Sequence, residues 1–270
     1  MYNLPPTERF SSRVDNYLKY RPHYPSEMIP RLQIEINLTA QWVIADIGVG
    51  TGFSAELLLA NRNKVIGVEP NDAMRNASVA YLAEYRQLYV PVKGTAEATT
   101  LPTNSVDMIL AGQAFHWFDL EKTKTEWQRI LKPSGWIALV WNERRGAGTP
   151  FLEAYERLLH NFAPEYQNVD HRHIDEGTLR EFFQLSESQP SNNKAAPYRY
   201  FQLPYRQTLN WDGLVGRILS SSYVPLPGDP LLEPLLKQLA IDFSDHSDNG
   251  EIELQYDTKV YLGRFKVTNE

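Results

Sequence analysis

The feature that most constrains this chain is an apolar run that ends in alternate glycines. Trp42-Val43-Ile44-Ala45-Asp46-Ile47 leads straight into Gly48-Val49-Gly50-Thr51-Gly52. An apolar run bounded by glycine reads as a buried strand. The glycines let the backbone turn sharply and come close to a bound group. Ser54 to Asn61, with Leu57, Leu58 and Leu59, reads as the helix that follows. Its N-terminal amides would point at the turn, which favours a negative group there.

The same rhythm runs on to about residue 143. Strands are predicted over 64–68, 88–92, 106–111 and 136–141. Helices are predicted over 71–85, with Asn71 or Asp72 as N-cap, and over 120–131, closed by Pro133-Ser134-Gly135. Strand-helix alternation of this kind predicts an α/β fold: a doubly wound, mostly parallel sheet with right-handed crossovers. After Asn142 the pattern changes. Arg144 to Pro150 reads as a link. Helices are expected over 151–162 and 177–183, a polar loop over 186–197, and a strand over 198–209. Helices over 211–221 and 230–242 follow, then an alternating stretch over 252–266 that suits an edge hairpin or a last antiparallel strand. The expected organisation is a helical segment over 1–40, a binding core over 41–142, a helical cap insertion over 143–196, and a part over 197–270 that completes the sheet.

Composition excludes several chemistries. The chain has 270 residues, no cysteine and a net charge of −6. Disulfides, thiolate metal sites and cysteine nucleophiles are therefore ruled out. A general nucleic-acid binder is usually basic, so nucleic acid is not the expected partner. No stretch reaches the roughly 18 apolar residues of a membrane span, and Met1 to Phe10 lacks the apolar core of a signal peptide. A cytoplasmic protein that binds no membrane is expected. His171-Arg172-His173 has no matching ligand pair elsewhere, so no metal is expected.

The turn fits neither common nucleotide fingerprint. A dinucleotide loop would place glycine at 53, where this chain has Phe53, and no Gly-Lys-Ser/Thr follows for a P-loop. The second strand ends in Val68-Glu69-Pro70-Asn71. An acid at that strand tip can accept hydrogen bonds from both ribose hydroxyls of a nucleoside. Gly94-Thr95-Ala96-Glu97 follows the third strand, where an adenine ring could be bracketed. Asp107 is a fourth element, on the strand that runs on to Gly112-Gln113-Ala114-Phe115-His116-Trp117-Phe118.

Together these segments resemble the successive motifs of class I S-adenosylmethionine-dependent methyltransferases over about residues 10 to 143. The subgroup most resembled is the trans-aconitate methyltransferase-like enzymes. The marks are Tyr17 to Pro25, Phe115-His116-Trp117-Phe118 and Leu131-Lys132-Pro133-Ser134-Gly135-Trp136. The resemblance implies a seven-stranded sheet with the last strand antiparallel, and S-adenosylmethionine as cofactor. It implies that Asp46, Gly48, Gly50, Thr51 and Gly52 frame the methionine part and that Glu69, with Pro70, holds the ribose. Thr95, Ala96 and Glu97 would lie near the adenine. Gln113, Ala114, His116 and Trp117 would line the acceptor side, and Arg21 would reach the cofactor carboxylate.

The methyl acceptor is expected to be a small molecule. A carboxylate oxygen needs no general base; a phenol or carbon acid needs one, and His116 is the candidate. Arg144 and Arg145 follow the fifth strand and suit an acidic substrate, because a guanidinium fork matches a carboxylate. Two alternatives stay open: C-methylation of a quinone-like or other apolar ring, and a protein that binds the cofactor without transfer.

Overall fold

A computed structural model describes residues 14–166, 176–183 and 197–265. Its centre is a sheet in the order β3-β2-β1-β4-β5-β7-β6. The strands are β1 (Val43–Ile47), β2 (Lys64–Val68), β3 (Tyr89–Val92), β4 (Val106–Gly112), β5 (Leu131–Arg144), β6 (Tyr198–Leu209) and β7 (Ile252–Gly263). β1 pairs in parallel with β2 and β4, β2 with β3, and β4 with β5. The last strands are antiparallel, which gives the mostly parallel seven-stranded architecture expected of the sequence.

The chain divides into two compact units. The larger contains residues 23–141, 174–203 and 258–270. It holds α2 (Met28–Ile36), α3 (Phe53–Ala60), α4 (Asp72–Tyr81), α5 (Leu120–Ile130) and α7 (Glu176–Phe183). Its strands feed two apolar clusters alternately. Ile44, Val65, Met108, Leu110, Ala138 and Val140 enter one. Their neighbours Ala45, Ile66, Ile109, Ala111, Ile137 and Leu139 join the other. Successive side chains of a strand point to opposite faces, so near-continuous apolar runs mean a sheet covered on both sides.

The smaller unit contains residues 1–22, 142–173 and 204–257. It holds α1 (Val14–Tyr20), α6 (Pro150–Phe162), α8 (Trp211–Leu219) and α9 (Leu232–His246). Thr149 caps α6, accepting from the Leu152 amide at 3.2 Å, and Asn210 caps α8, accepting from Gly213 at 2.9 Å. One cluster built on Phe151, Tyr155, Leu158, Leu214, Ile218, Leu235, Leu239 and Tyr256 forms its core.

Two local features differ from expectation. β5 starts at Leu131 rather than Trp136. Its register against β4 shifts between Val106↔Leu131 and Met108↔Trp136, and the shift absorbs Pro133 and Gly135 in an irregularity of the ladder. The helix expected over 71–85 breaks at Tyr81, and a 3₁₀ turn over Ala83–Tyr85 follows. β7 is the last antiparallel strand, one of the two forms expected for the C-terminal stretch; it lies between β5 and β6, and β6 is the edge. Parts of the expected cap, 167–175 and 184–196, lie outside the described residues, and so do His171 and His173.

Gly67 lets the aromatic ring of Tyr89 lie on β2. A Cβ at position 67 would stand 2.5 Å from the Tyr89 hydroxyl oxygen and 2.8 Å from a ring carbon. That hydroxyl is buried and bonded to Ser78 Oγ at 2.7 Å, so the ring has little room to retreat. Gly67→Ala should cost about 1–3 kcal/mol, the usual range for overpacking. Urea unfolding read by far-UV circular dichroism checks this; a midpoint equal to that of the parent chain would refute the packing argument.

Candidate functional site

β1, β2 and β4 run parallel, so their carboxyl ends share one edge of the sheet. The turn 48–52 leaves β1 there. The amides of Gly48 and Val49 donate to the Val68 carbonyl at 2.8 and 3.2 Å, which ties the turn to the tip of β2. Gly48 has φ +71°, and a Cβ on it would stand 2.7 Å from the Ala114 Cβ. Only glycine allows both this backbone and this approach to the segment after β4. Gly52, with φ +102°, starts α3 at the place where a Cβ would meet Leu82 at 2.8 Å.

Asp46 is fully buried at the end of β1. Its Oδ2 accepts from the Ser54 hydroxyl at 2.6 Å. Its Oδ1 is shut off from solvent and has no partner among the described residues, and the same holds for the Thr51 hydroxyl oxygen. Burial pushes the Asp46 carboxyl up to about 7; the Ser54 hydrogen bond opposes the rise and the Glu69 charge adds to it. A carboxylate in this position, with an orphaned oxygen, suits a cationic group.

Glu69 stands at the tip of β2. Its Oε2 accepts from the Gly50 amide at 3.0 Å and its Oε1 from the Asn71 amide at 2.9 Å. Burial raises its pKa, while those two amides and the Arg75 charge pull the other way. Each carboxylate oxygen can accept more than one hydrogen bond, so capacity for hydroxyl donors remains. Pro70 precedes Asn71, which caps α4 by accepting from Met74 at 3.0 Å.

Beyond β3, Thr95 forms a bridge with Ala98, Ala96 is buried, and Glu97 Oε1 accepts from the Asp119 amide at 2.9 Å. After β4, Gln113 takes φ +55°, uncommon for a residue with a side chain, and its amide donates to Val140 at 2.9 Å. Such conformations gather at functional sites. His116 and Trp117 lie in the short 3₁₀ turn Phe115–Trp117, with ring centroids 4.7 Å apart. Phe115 packs into the core against Phe182, Trp141 and Trp127. The larger unit thus carries Asp46, the turn 48–52, Glu69, Pro70, Thr95, Ala96, Glu97, Gln113, Ala114, His116 and Trp117.

Asp107 is not part of this edge. It is the second residue of β4, and its Oδ2 accepts from the amide of Val43, the first residue of β1, at 2.8 Å. Its Oδ1 pairs with Lys132 at 2.7 Å. It therefore clamps the amino ends of two strands, the opposite end from the glycine turn.

Arg21, Arg144 and Arg145 belong to the smaller unit. Arg21 donates to the Ser220 carbonyl at 3.0 Å and stacks over Tyr17 at 5.0 Å. Arg144 already has a carboxylate, Glu156, at 2.6 Å, and it also donates to Tyr166 at 3.0 Å. Arg145 makes a two-point contact with Asp257 at 2.6 and 3.0 Å. An acidic ligand at either of these two arginines would compete with a protein carboxylate.

Two residues at the edge escaped the sequence reading. Ser54 orients Asp46; its position in the first helical turn after the glycines was the available signal. The Tyr24 hydroxyl would stand 2.6 Å from a Cβ at Gly112, so the residue after His23 packs on the end of β4. His23 itself stacks on Phe53 with centroids 4.2 Å apart and pairs with Glu56 at 3.3 Å. Among the described residues, no group of three or more potential ligands could hold a metal, and no helix is long and apolar enough to cross a membrane.

Comparisons with known proteins find similarity to methyltransferases. Residues 45–139 match the family model described as a methyltransferase domain. The chain is 38% identical over 135 residues to an uncharacterized methyltransferase of Mycobacterium tuberculosis, a match that covers 50% of this chain and 52% of that protein. It thus spans about half the length of the first relatives it matches. A Dictyostelium discoideum protein named as a methyltransferase is 28% identical over 245 residues, covering 85% of this chain and 86% of its own. Among solved structures, a type II methyltransferase candidate from Anaeromyxobacter dehalogenans superposes with a TM-score of 0.68 at 20% identity, covering 92% of this chain and 100% of that one. At such identity it shows the fold alone. Over residues 45–139, the stretch that carries the glycine turn and Glu69, the chain is thus similar to a methyltransferase domain.

Proposed function

We propose that the chain transfers a methyl group from S-adenosylmethionine to a small-molecule acceptor, a carboxylate oxygen being one candidate acceptor atom and a ring carbon another. The observation that carries this reading is the orphaned Oδ1 of Asp46, buried beside the glycine turn and next to a strand-tip glutamate. When bound, the cofactor supplies a methyl group already activated by a sulfonium. Asp46, with Gly48, Gly50, Thr51 and Gly52, is assigned the methionine end, whose ammonium suits a buried carboxylate. Glu69 is assigned the ribose hydroxyls, and Ala96 and Glu97 the adenine. Gln113, Ala114, His116 and Trp117 are assigned the acceptor side.

The protein's task is then alignment and exclusion of water. Fixing two reactants in line can remove up to roughly 7–11 kcal/mol of barrier. An ionised carboxylate acceptor requires no proton transfer, so His116 lines the site without acting as a base; a phenol would draw on it. No buried thiol, metal or covalent intermediate is needed.

Isothermal titration with S-adenosylhomocysteine should give saturable 1:1 binding to the full chain. Absence of any saturation with cooperatively folded protein ends this reading. Glu69→Ala should weaken that binding about 10- to 100-fold, the range for hydrogen bonds to a charged group.

The Asp46 carboxyl gives a pH signature. Its pKa is raised from an unfolded value near 3.8 to about 7. Between those values the folded chain holds a proton that the unfolded chain has released. This contribution to stability is therefore present below pH ~4 and is lost as pH rises through about 7. Asp46→Asn should unfold at a higher temperature than the parent chain at pH 8, with the gap closing towards pH 4. The same variant should bind S-adenosylhomocysteine about 10- to 100-fold more weakly. A parent chain whose thermal midpoint exceeds that of Asp46→Asn at pH 8 would contradict the assignment.

A further inference from the structure

Two arginines of the smaller unit have no carboxylate partner among the described residues. Three arginines gather there. Arg217 is 5% exposed and Arg144 is 9% exposed. Arg21 is partly buried, and its Nε is closed off from solvent with no partner among the described residues. The carboxylate of Glu156 is taken by Arg144 at 2.6 Å and is approached at 3.4 Å by His160, which could only add to the positive charge. Arg217 has no ion pair among the described residues. Its Nε donates to the Tyr256 hydroxyl at 3.1 Å and its Nη1 to Ser221 Oγ at 3.0 Å. Among the described residues, Arg21 likewise meets the Ser220 carbonyl at 3.0 Å and the face of Tyr17 at 5.0 Å.

The two arginines converge. Ser220 and Ser221 are adjacent at the end of α8, and one binds Arg21 while the other binds Arg217. Burial lowers the Arg21 pKa, and the Arg217 charge lowers it further, as expected of two neighbouring cations. Tyr223 reports the same field. Burial pushes its phenol up, but Arg217, Arg144 and Arg21 together bring it below its ordinary value. The Tyr223 ring stacks at 4.9 Å on Tyr166, which in turn bonds Arg144.

A guanidinium does not shed its proton in a protein. Two of them, one buried and one partly buried, that meet neutral oxygens among the described residues are costly unless an anion joins them. Arginine forks match oxyanions in two-point geometry. We propose that the smaller unit binds a small oxyanion, of the carboxylate or phosphate class, at Arg21 and Arg217. Arg144 keeps Glu156 and stays structural. The site is independent of the cofactor reading, and it gives Arg21 a ligand other than the cofactor carboxylate.

The test uses the full chain at constant ionic strength in chloride. Succinate and inorganic phosphate are titrated calorimetrically in separate arms, with glycerol as the uncharged control and S-adenosylhomocysteine in a further titration. The expected result is saturable binding of at least one anion and none of glycerol. Succinate alone identifies a carboxylate site; phosphate alone identifies a phosphate site; both identify a general oxyanion site. Arg21→Gln and Arg217→Gln should each weaken the anion at least 10-fold. Arg206→Gln, in an exposed pair with Glu253, should leave it unchanged. If Arg217→Gln does not fold, Arg21→Gln decides alone. The proposal is overturned if neither anion saturates, if binding survives Arg21→Gln, or if that variant weakens S-adenosylhomocysteine and leaves the anions untouched. Loss of S-adenosylhomocysteine binding with anion binding intact would remove the methyl-transfer reading and leave this one standing.

Discussion

The hydrogen bonds from the Gly48 and Val49 amides to the Val68 carbonyl hold the ligand-facing edge together. They fasten the end of β1 to the end of β2 through backbone alone. The Gly50 amide then reaches Glu69, so the acid at the second strand tip is positioned by the turn that leaves the first. On the other side Gly48 lies so close to Ala114 that the segment after β4 is fixed as well. Three strand ends are thereby coupled with few side chains, and at Gly48 and Gly52 the neighbours leave no room for a Cβ. The buried carboxylate of Asp46 lies within this frame, held by the Ser54 hydroxyl. Its raised pKa measures how poorly the folded chain alone satisfies it.

Much of this edge was legible in the sequence. Apolar runs of strand length, each followed by an amphipathic helix, dictate parallel pairing, and parallel pairing puts every strand's carboxyl end on one side. Asp46, the glycines and Glu69 follow from that rule without any knowledge of side-chain contacts. Asp107 shows where the rule stops. An acid on a strand can serve either end, and which end depends on where the strand begins. β4 begins at Val106, so Asp107 meets the Val43 amide at the far end. The start of β5 was hidden for a related reason. Pro133 and Gly135 look like a break, but the ladder tolerates them through a register shift that no local pattern announces.

Charged side chains were the least legible, because their partners are distant along the chain. Arg144 and Arg145 look alike as a pair after a strand. In space one turns to Glu156, 12 residues on, and the other to Asp257, 112 residues on. Neither partner could be chosen from the sequence, since nothing local distinguishes these acids from the remaining Asp and Glu of the chain. The same holds in reverse for Arg21 and Arg217. Nothing in their neighbourhoods marks them as lacking a carboxylate.

This asymmetry bears on how a ligand site is recognised. Arg144 and Arg145 have the right chemistry for an acidic ligand, but their charges are already answered within the protein. Displacing Glu156 or Asp257 would return a carboxylate to an unpaired state, and a buried one is expensive to leave so. A paired arginine is therefore a poor anchor even where its residue type fits. Asp46 illustrates the opposite condition: its position in the fold keeps it dry, and one of its oxygens has no partner among the described residues. Residue type and strand position mark both groups as candidates. What separates them is whether the folded chain has left the charge unanswered, and that difference appears only once the long-range partners are in place.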